Sequence, residues 1–298
     1  MSEPVRQHWV PKIYLRNFAT PESINMSSPK VNVYDLGFKK QFCTSIDKVL
    51  VQKHLYTLGA DSDSPLYVVE KTLAKIEGWS KSCIEAFSKG QTIHTNPQSK
   101  YIAAVFFATL LMRNPHMLEV QENGFRDLKD LRENSNYSSL ESKISDFIID
   151  EENGESLREI SDWFSQLDQE GKHIFFVRSI IDTATTLAQS LLKKKWCLLR
   201  SVDGYFVTSD NPITVFHPKA SPYGICTDGV HIHIAITPRI LLLLGGEVSL
   251  DENQVYDVPL ELVEHMNYLT IAKAERFIIS SFTFDDLQNL IRETKQKI

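Results

Sequence analysis

The stretch from Tyr101 to Met112, YIAAVFFATLLM, is apolar on nearly every side of any helix it could form, and it is framed by Asn96-Pro97 and by Arg113-Asn114-Pro115. Asn followed by Pro is a helix start, because the Asn side chain can accept from exposed amides and proline's fixed φ suits the first turn. The second Asn-Pro stops the run, since a residue before proline avoids helical backbone. A helix with no polar face must be wrapped by other elements. This one is too short to cross a bilayer, which takes about 20 apolar residues. The chain must therefore build a core around it. With 298 residues it has the length to do so, burying roughly 75% of the surface its unfolded form exposes.

The wrapping elements can be read on both sides. After Pro11, Ile13, Tyr14, Leu15 and Phe18 are spaced as in a short amphipathic helix over Lys12 to Phe18. Val31 to Asp35, Phe38 to Cys43 and His54 to Leu58 are β-rich pieces separated by turns. Ser64-Pro65 reads as a helix start, followed by Leu66, Val69, Leu73, Ile76 and Trp79 at helical spacing, and a further helix spans Ile174 to Leu192. Beyond it lie strand candidates at Trp196 to Leu199, Tyr205 to Thr208, Ile213 to Phe216, His231 to Ile236 and Ile240 to Leu244. Most of their connections are too short for parallel crossovers. Pro259 to Glu275 and Phe284 to Lys297 close the chain as helices around a strand at Phe277 to Ser280.

The expected class is α+β, with a small N-terminal β section (1–60), a helical middle (61–194) and a C-terminal mostly antiparallel or mixed sheet with two closing helices (195–298). These regions are expected to pack as one composite domain over 1–298.

Charge and cysteine usage narrow the function classes. The net charge is −6 and the isoelectric point near 5.9, which gives no basic footprint for nucleic acid. From Glu119 to Glu170 there are 15 acidic and 5 basic residues, leaving the rest of the chain at +4. That stretch has helical periodicity through Ile144, Phe147, Ile148, Leu157, Ile160 and Phe164, interrupted at Asn153-Gly154. It reads as a solvated helical region or an acidic docking surface. The 4 cysteines, Cys43, Cys83, Cys197 and Cys226, are scattered without a paired motif, so reduced thiols are expected. The opening MSEPVRQHWVPK has no basic segment leading into an apolar one, so a cytoplasmic address is expected.

The sequence carries no Walker loop, no G-x-G-x-x-G, no G-x-S-x-G and no H-E-x-x-H. His217, Cys226, Asp228, His231 and His233 are a conceivable metal set, because His231 and His233 would share one face of a strand. Solvent-facing histidines are the plainer reading, and no metal or cofactor is expected. Glu70 and Glu77 lie seven apart, nearly two helical turns, so their carboxylates could face one side. Two further places are odd for simple packing. His8, Tyr14 and Arg16 sit among apolar residues in the first box, and Thr208-Ser-Asp-Asn-Pro212 places four polar side chains at a strand end. Buried polar groups need partners, although Asp210-Asn211-Pro212 is also what a turn requires.

Taken in order, five segments resemble the bacterial family catalogued as domain of unknown function 4238. They are His8-Trp-Val-Pro-Lys-Ile-Tyr-Leu-Arg-Asn-Phe18 with Glu77 in the first long helix, Leu111-Met-Arg-Asn-Pro115, Phe206-Val-Thr-Ser-Asp-Asn-Pro212, Ile234-Ala-Ile-Thr-Pro238, and Asn267 to Ser280. Where the family pattern has proline-leucine-serine-proline, this chain reads Ala235-Ile-Thr-Pro238. The family carries no established activity, but a pattern that specifies His8, Arg113, Asp210 and Asn211 implies a shared polar site.

Three functional classes follow. In an enzyme, a hydrolase or nuclease-like effector of bacterial defence, His8 would be the acid or base and Asp210 would orient it. Arg113 and Arg16 would hold an anion, with Tyr14, Asn211 and Glu77 lining the substrate site. In a sensor or partner subunit of a multi-protein system such as phage defence, His8, Arg113 and Asp210 would form a buried structural network, and a protein partner or a second copy would dock on the acidic helical region from Glu119 to Glu170. In a small-ligand-binding protein they would bind a small anionic molecule without reacting.

Overall fold

The structure is a computed structural model. It describes residues 5–294 apart from 61, 63, 93–95, 134–161, 218–223, 226, 228, 246–250, 288, 289, 292 and 293. In chain order the elements are β1 (Arg6–His8), α1 (Lys12–Leu15) continuing as a 3-10 turn (Arg16–Phe18), β2 (Lys30–Asp35), β3 (Lys40–Ser45) and β4 (Val51–Lys53). The helices α2 (Val68–Ser88), α3 (Pro97–Met112), α4 (His116–Glu133) and α5 (Gln169–Leu192) follow. Then come β5 (Lys195–Ser201), β6 (Thr208–Ser209), β7 (Thr214–Phe216), β8 (His231–Ala235), β9 (Ile240–Gly245), β10 (Val255–Val258), α6 (Leu260–Lys273) and β11 (Phe277–Ser280). This is the α+β class expected from the sequence, with a helical middle and a C-terminal mixed sheet.

The chain divides into two compact units, Met1–Asn114 with Ile180–Ile298, and Pro115–Ser179. In the first, five strands in the order β10-β5-β9-β8-β7 make a sheet that is antiparallel except where β10 lies parallel to β5. A second sheet, β3-β2-β11-β6, is antiparallel throughout and takes two strands from each end of the chain. β1 and β4 form a separate antiparallel pair.

The core forms around α3. Asn96 accepts from the amides of Gln98 and Ser99 at 3.0 and 3.3 Å, as its sequence signal requires. Ala103, Ala104, Phe106, Phe107, Ala108 and Leu110 are all buried. Phe107 meets Phe106 edge-on at 5.5 Å and lies 6.1 Å from Trp196 of β5.

Three sequence expectations are corrected and one element is added. Helix α2 starts at Val68 rather than at Pro65, and its N-cap residue Tyr67 supplies no side-chain bond. The backbone of Leu66 is engaged instead with Leu58 in an isolated antiparallel bridge, which no local signal reports. His54 to Leu58 is a turn that follows β4, because His54 has a positive φ of 53° that ends the extended run. Tyr205 to Val207 make no ladder. The buried side chain of Asn267 in α6 takes their backbone groups, accepting from the Val207 amide at 3.0 Å and donating to the Tyr205 carbonyl at 2.9 Å. The addition is strand β10 at Val255–Val258, a segment to which no element was assigned from the sequence.

In the second unit, Phe125 of α4 stacks on Phe164 at 4.3 Å and Phe175 meets both edge-on. Lys172 pairs with Glu122 at 3.2 Å. The interruption at Asn153-Gly154 and the positions from Ile144 to Ile160 lie outside the described residues, as does most of the final helix expected over Phe284 to Lys297. Among the described residues no helix is long and apolar enough to cross a membrane.

Gly204, in the turn after β5, has a φ of +74°, and a Cβ there would stand 2.6 Å from Leu260 Cδ1. Gly204→Ala must therefore accept a strained backbone and turn the half-exposed Leu260 side chain aside, a cost of about 1–3 kcal/mol that lies mainly in the backbone. A thermal melt of the variant should show Tm lowered by about 3–10 °C.

Candidate functional site

The polar boxes meet inside the first unit, and the meeting begins with α1. The carbonyl of Pro11 accepts from the amides of Tyr14 and Leu15, both at 3.0 Å, and this turn drives the Tyr14 ring inward until it is fully buried. Its hydroxyl donates to the Ala235 carbonyl at 2.5 Å. Having only one proton, it must accept from Thr208 Oγ1, 2.8 Å away. A single side chain thus ties α1 to β6 and to the end of β8. Burial pushes the Tyr14 phenol far above its ordinary range, so it stays neutral.

Asp210 follows β6 and faces the turn that leads from α6 into β11. Its carboxylate accepts three backbone amides, Glu275 at 3.0 Å, Arg276 at 2.7 Å and Phe277 at 2.9 Å. Burial pushes its pKa up against the opposing pull of those donors. The Asp210 carbonyl is equally occupied, receiving the Trp9 indole at 3.2 Å and the Asn114 side-chain amide at 3.1 Å. Asn211, next in the chain, reaches the Lys273 carbonyl at 3.3 Å.

Arg113 caps α3 and is only 3% exposed. It pairs with Glu77 of α2 at 2.8 Å, donates to the His8 carbonyl, and lies 5.9 Å from the centre of the Tyr56 ring. The Tyr56 hydroxyl donates to the Arg113 carbonyl at 2.7 Å. The His8 ring turns to the Ile46 carbonyl at 2.9 Å, which places its proton on Nε2, and burial holds its pKa below the usual value. Glu70, also on α2, keeps one buried carboxylate oxygen without a hydrogen-bond partner, and the Arg113 Nε–H is likewise buried and unmatched. Burial first, and the neighbouring Glu77 charge after it, push the Glu70 carboxyl up to about 7, against the pull of Arg113.

The structure therefore brings His8, Tyr14, Glu77, Arg113, Asp210 and Asn211 into one fabric of bonds made largely to backbone. The His8 ring and the Asp210 carboxylate are directed to different partners. Arg16 is exposed in the 3-10 turn. The family model for the protein of unknown function DUF4238 matches residues 6–283. The chain belongs to this family. No curated protein and no solved structure matches it.

In this DUF4238 chain the histidines outside the network are not uniformly solvent-facing, as the plainer sequence reading had them. His233 is buried and bonded to Thr270 Oγ1 at 2.9 Å, with its pKa driven by burial to about 3. Cys226 and Asp228 lie outside the described residues, and among those described no three metal-ligating side chains cluster. Cys83 and Cys197 are buried and pushed up by burial, Cys197 to about 11, whereas Cys43 is exposed on β3 rather than packed. Tyr56 and Asn114 were not singled out from the sequence. Asn114 was legible as a helix stop, but Tyr56 lay in a misread strand and carried no signal.

The Tyr14–Thr208 contact yields a direct test for this DUF4238 network. Tyr14→Phe strands the Ala235 carbonyl and the Thr208 hydroxyl, and should cost about 1–3 kcal/mol. A double-mutant cycle with Thr208→Val, read by denaturant unfolding, should show coupling of about 0.5–2 kcal/mol.

Proposed function

We propose that this protein works by binding, as a sensor or partner subunit of a larger assembly, and that the polar residues of its family pattern are internal ties rather than reacting groups. The observation that carries this reading is the occupancy of Asp210. Both carboxylate oxygens accept backbone amides, and its carbonyl holds Trp9 and Asn114. Three of the carboxylate's roughly four acceptor sites are filled by backbone amides, which turn it toward the junction of α6 and β11 and away from the His8 ring, where it does not orient a general base. Arg113 is similarly committed to Glu77 and the His8 carbonyl, which leaves it poorly placed to grip a substrate anion.

A hydrolase remains the second reading on one specific observation. Glu70, with an unmatched oxygen beside Arg113 and Glu77 and a pKa near neutrality, has the protonation behaviour of a general acid or base.

Asp210→Asn tests the first reading, and Glu70→Gln tests the second. Asp210→Asn keeps the shape but replaces an acceptor by an NH2 group facing backbone amides, so Tm should fall by about 5–10 °C. The wild-type protein should leave phosphodiester and nucleic-acid substrates intact with Mg2+ or Mn2+ present. Wild-type turnover that disappears in a folded Glu70→Gln variant, or in an Asp210→Asn variant of unchanged Tm, would overturn the binding reading.

A further inference from the structure

We propose that the first turn of α2 is a proton-operated catch, docked while Glu70 is neutral and released to solvent when Glu70 ionises. The turn is lightly held. Tyr67 offers no capping bond, and Leu66 and Val68 are 54% and 63% exposed. Val69 is buried in the core, and the ties of the turn include the Leu58–Leu66 bridge, the Lys71 amide to the Tyr67 carbonyl at 3.0 Å, and Thr72 Oγ1 to the Val68 carbonyl at 2.9 Å.

Against these stands the position of Glu70. One of its oxygens is buried with no donor, while the buried Nε–H of Arg113 is also without a partner. Arg113 acts on Glu70 through its charge without a hydrogen bond between them, and that charge is already neutralised by Glu77. An ionised carboxylate in that position lacks the hydrogen bonds it would have in water, whereas a neutral carboxyl loses far less. The charged and titratable groups facing Glu70 are Glu77 from α2 itself, Arg113 from the end of α3, and Tyr56 from the connection between β4 and α2. His8 of β1 lies against the same Arg113. Of these, Glu77 opposes ionisation and Arg113 favours it, but burial outweighs both and holds the Glu70 carboxyl up at about 7.

The sign follows. Because the folded-state pKa lies above the unfolded value, the stability that neutral Glu70 contributes is fully present below the unfolded pKa. It is lost as pH rises through about 7. Where that loss exceeds the weak ties of the turn, the turn opens locally while the core of α2 stays in place. The catch goes beyond the binding reading and holds whether or not a partner exists.

The test is amide hydrogen exchange on the full-length protein at pH 5.5 and 8.5, corrected for intrinsic rates and read at the amides of Lys71, Thr72 and Leu73. Protection in the wild type should fall by about tenfold or more at the higher pH, while the α3 amides hold theirs. Glu70→Gln should be protected at both values, and His8→Gln should keep the wild-type response. Equal protection at the two pH values in the wild type overturns the proposal, as does a response that survives in Glu70→Gln or disappears in His8→Gln. If Glu70→Gln fails to fold, the wild-type comparison with the His8→Gln control decides.

Discussion

A carboxylate withdrawn from water has to be met by donors, and in this fold the donors that meet Asp210 are the backbone amides of Glu275, Arg276 and Phe277. Those amides would otherwise be unpaired where the chain leaves α6 and enters β11. The bond set joins β6, only two residues long, to the strand that carries β2 and β3. From the same residue the carbonyl reaches out to Trp9 and Asn114. The N-terminal segment, the end of α3 and the second sheet are thus referenced to one main-chain position. Tyr14 reinforces it two residues away through Thr208.

Arg113 plays a different part. A buried guanidinium is tolerable only with its charge balanced and its donors filled. Glu77 balances the charge and the His8 carbonyl takes a further donor. The arrangement fixes how α2, α3 and β1 pack, yet it leaves one donor over. The Arg113 Nε–H and one Glu70 oxygen are both buried without a hydrogen-bond partner. The fabric is therefore tight at Asp210 and slack at the start of α2.

How far the sequence speaks follows from how local each signal is. α3 was readable because Asn96, Pro97 and the apolar run act over a few residues, and the Asn96 cap forms as its side chain requires. The start of α2 was misread because Leu66 is claimed by Leu58, a contact outside the window of a capping signal. Strand β10 was missed because a short segment lying parallel to β5 depends on a register set sixty residues earlier. His8, Tyr14, Arg113 and Asp210 stood out as polar residues in apolar settings. Their partners, mostly backbone carbonyls and amides, have no identity in a sequence, and this is why the same residues could be written down as a reaction centre. Tyr56 and the Glu70 oxygen became meaningful only once burial was known.

The sheet order β3-β2-β11-β6 has a consequence for how the molecule is made. β2 and β3 leave the ribosome before β11, and β2 then pairs with β11, whose last residue is Ser280. Until β11 has been synthesised, the inner edge of that hairpin has no neighbour, and Trp9, Tyr14 and Asp35 wait for partners that lie about two hundred residues away. Closing contacts of such separation is slow, and unpaired strand edges in the interval invite association with other chains. The N-terminal box is thus a segment that emerges early and is secured late. A nascent chain stalled before residue 275 would present the inner edge of β2 bare, a state in which a chaperone, or aggregation, competes directly with the fold.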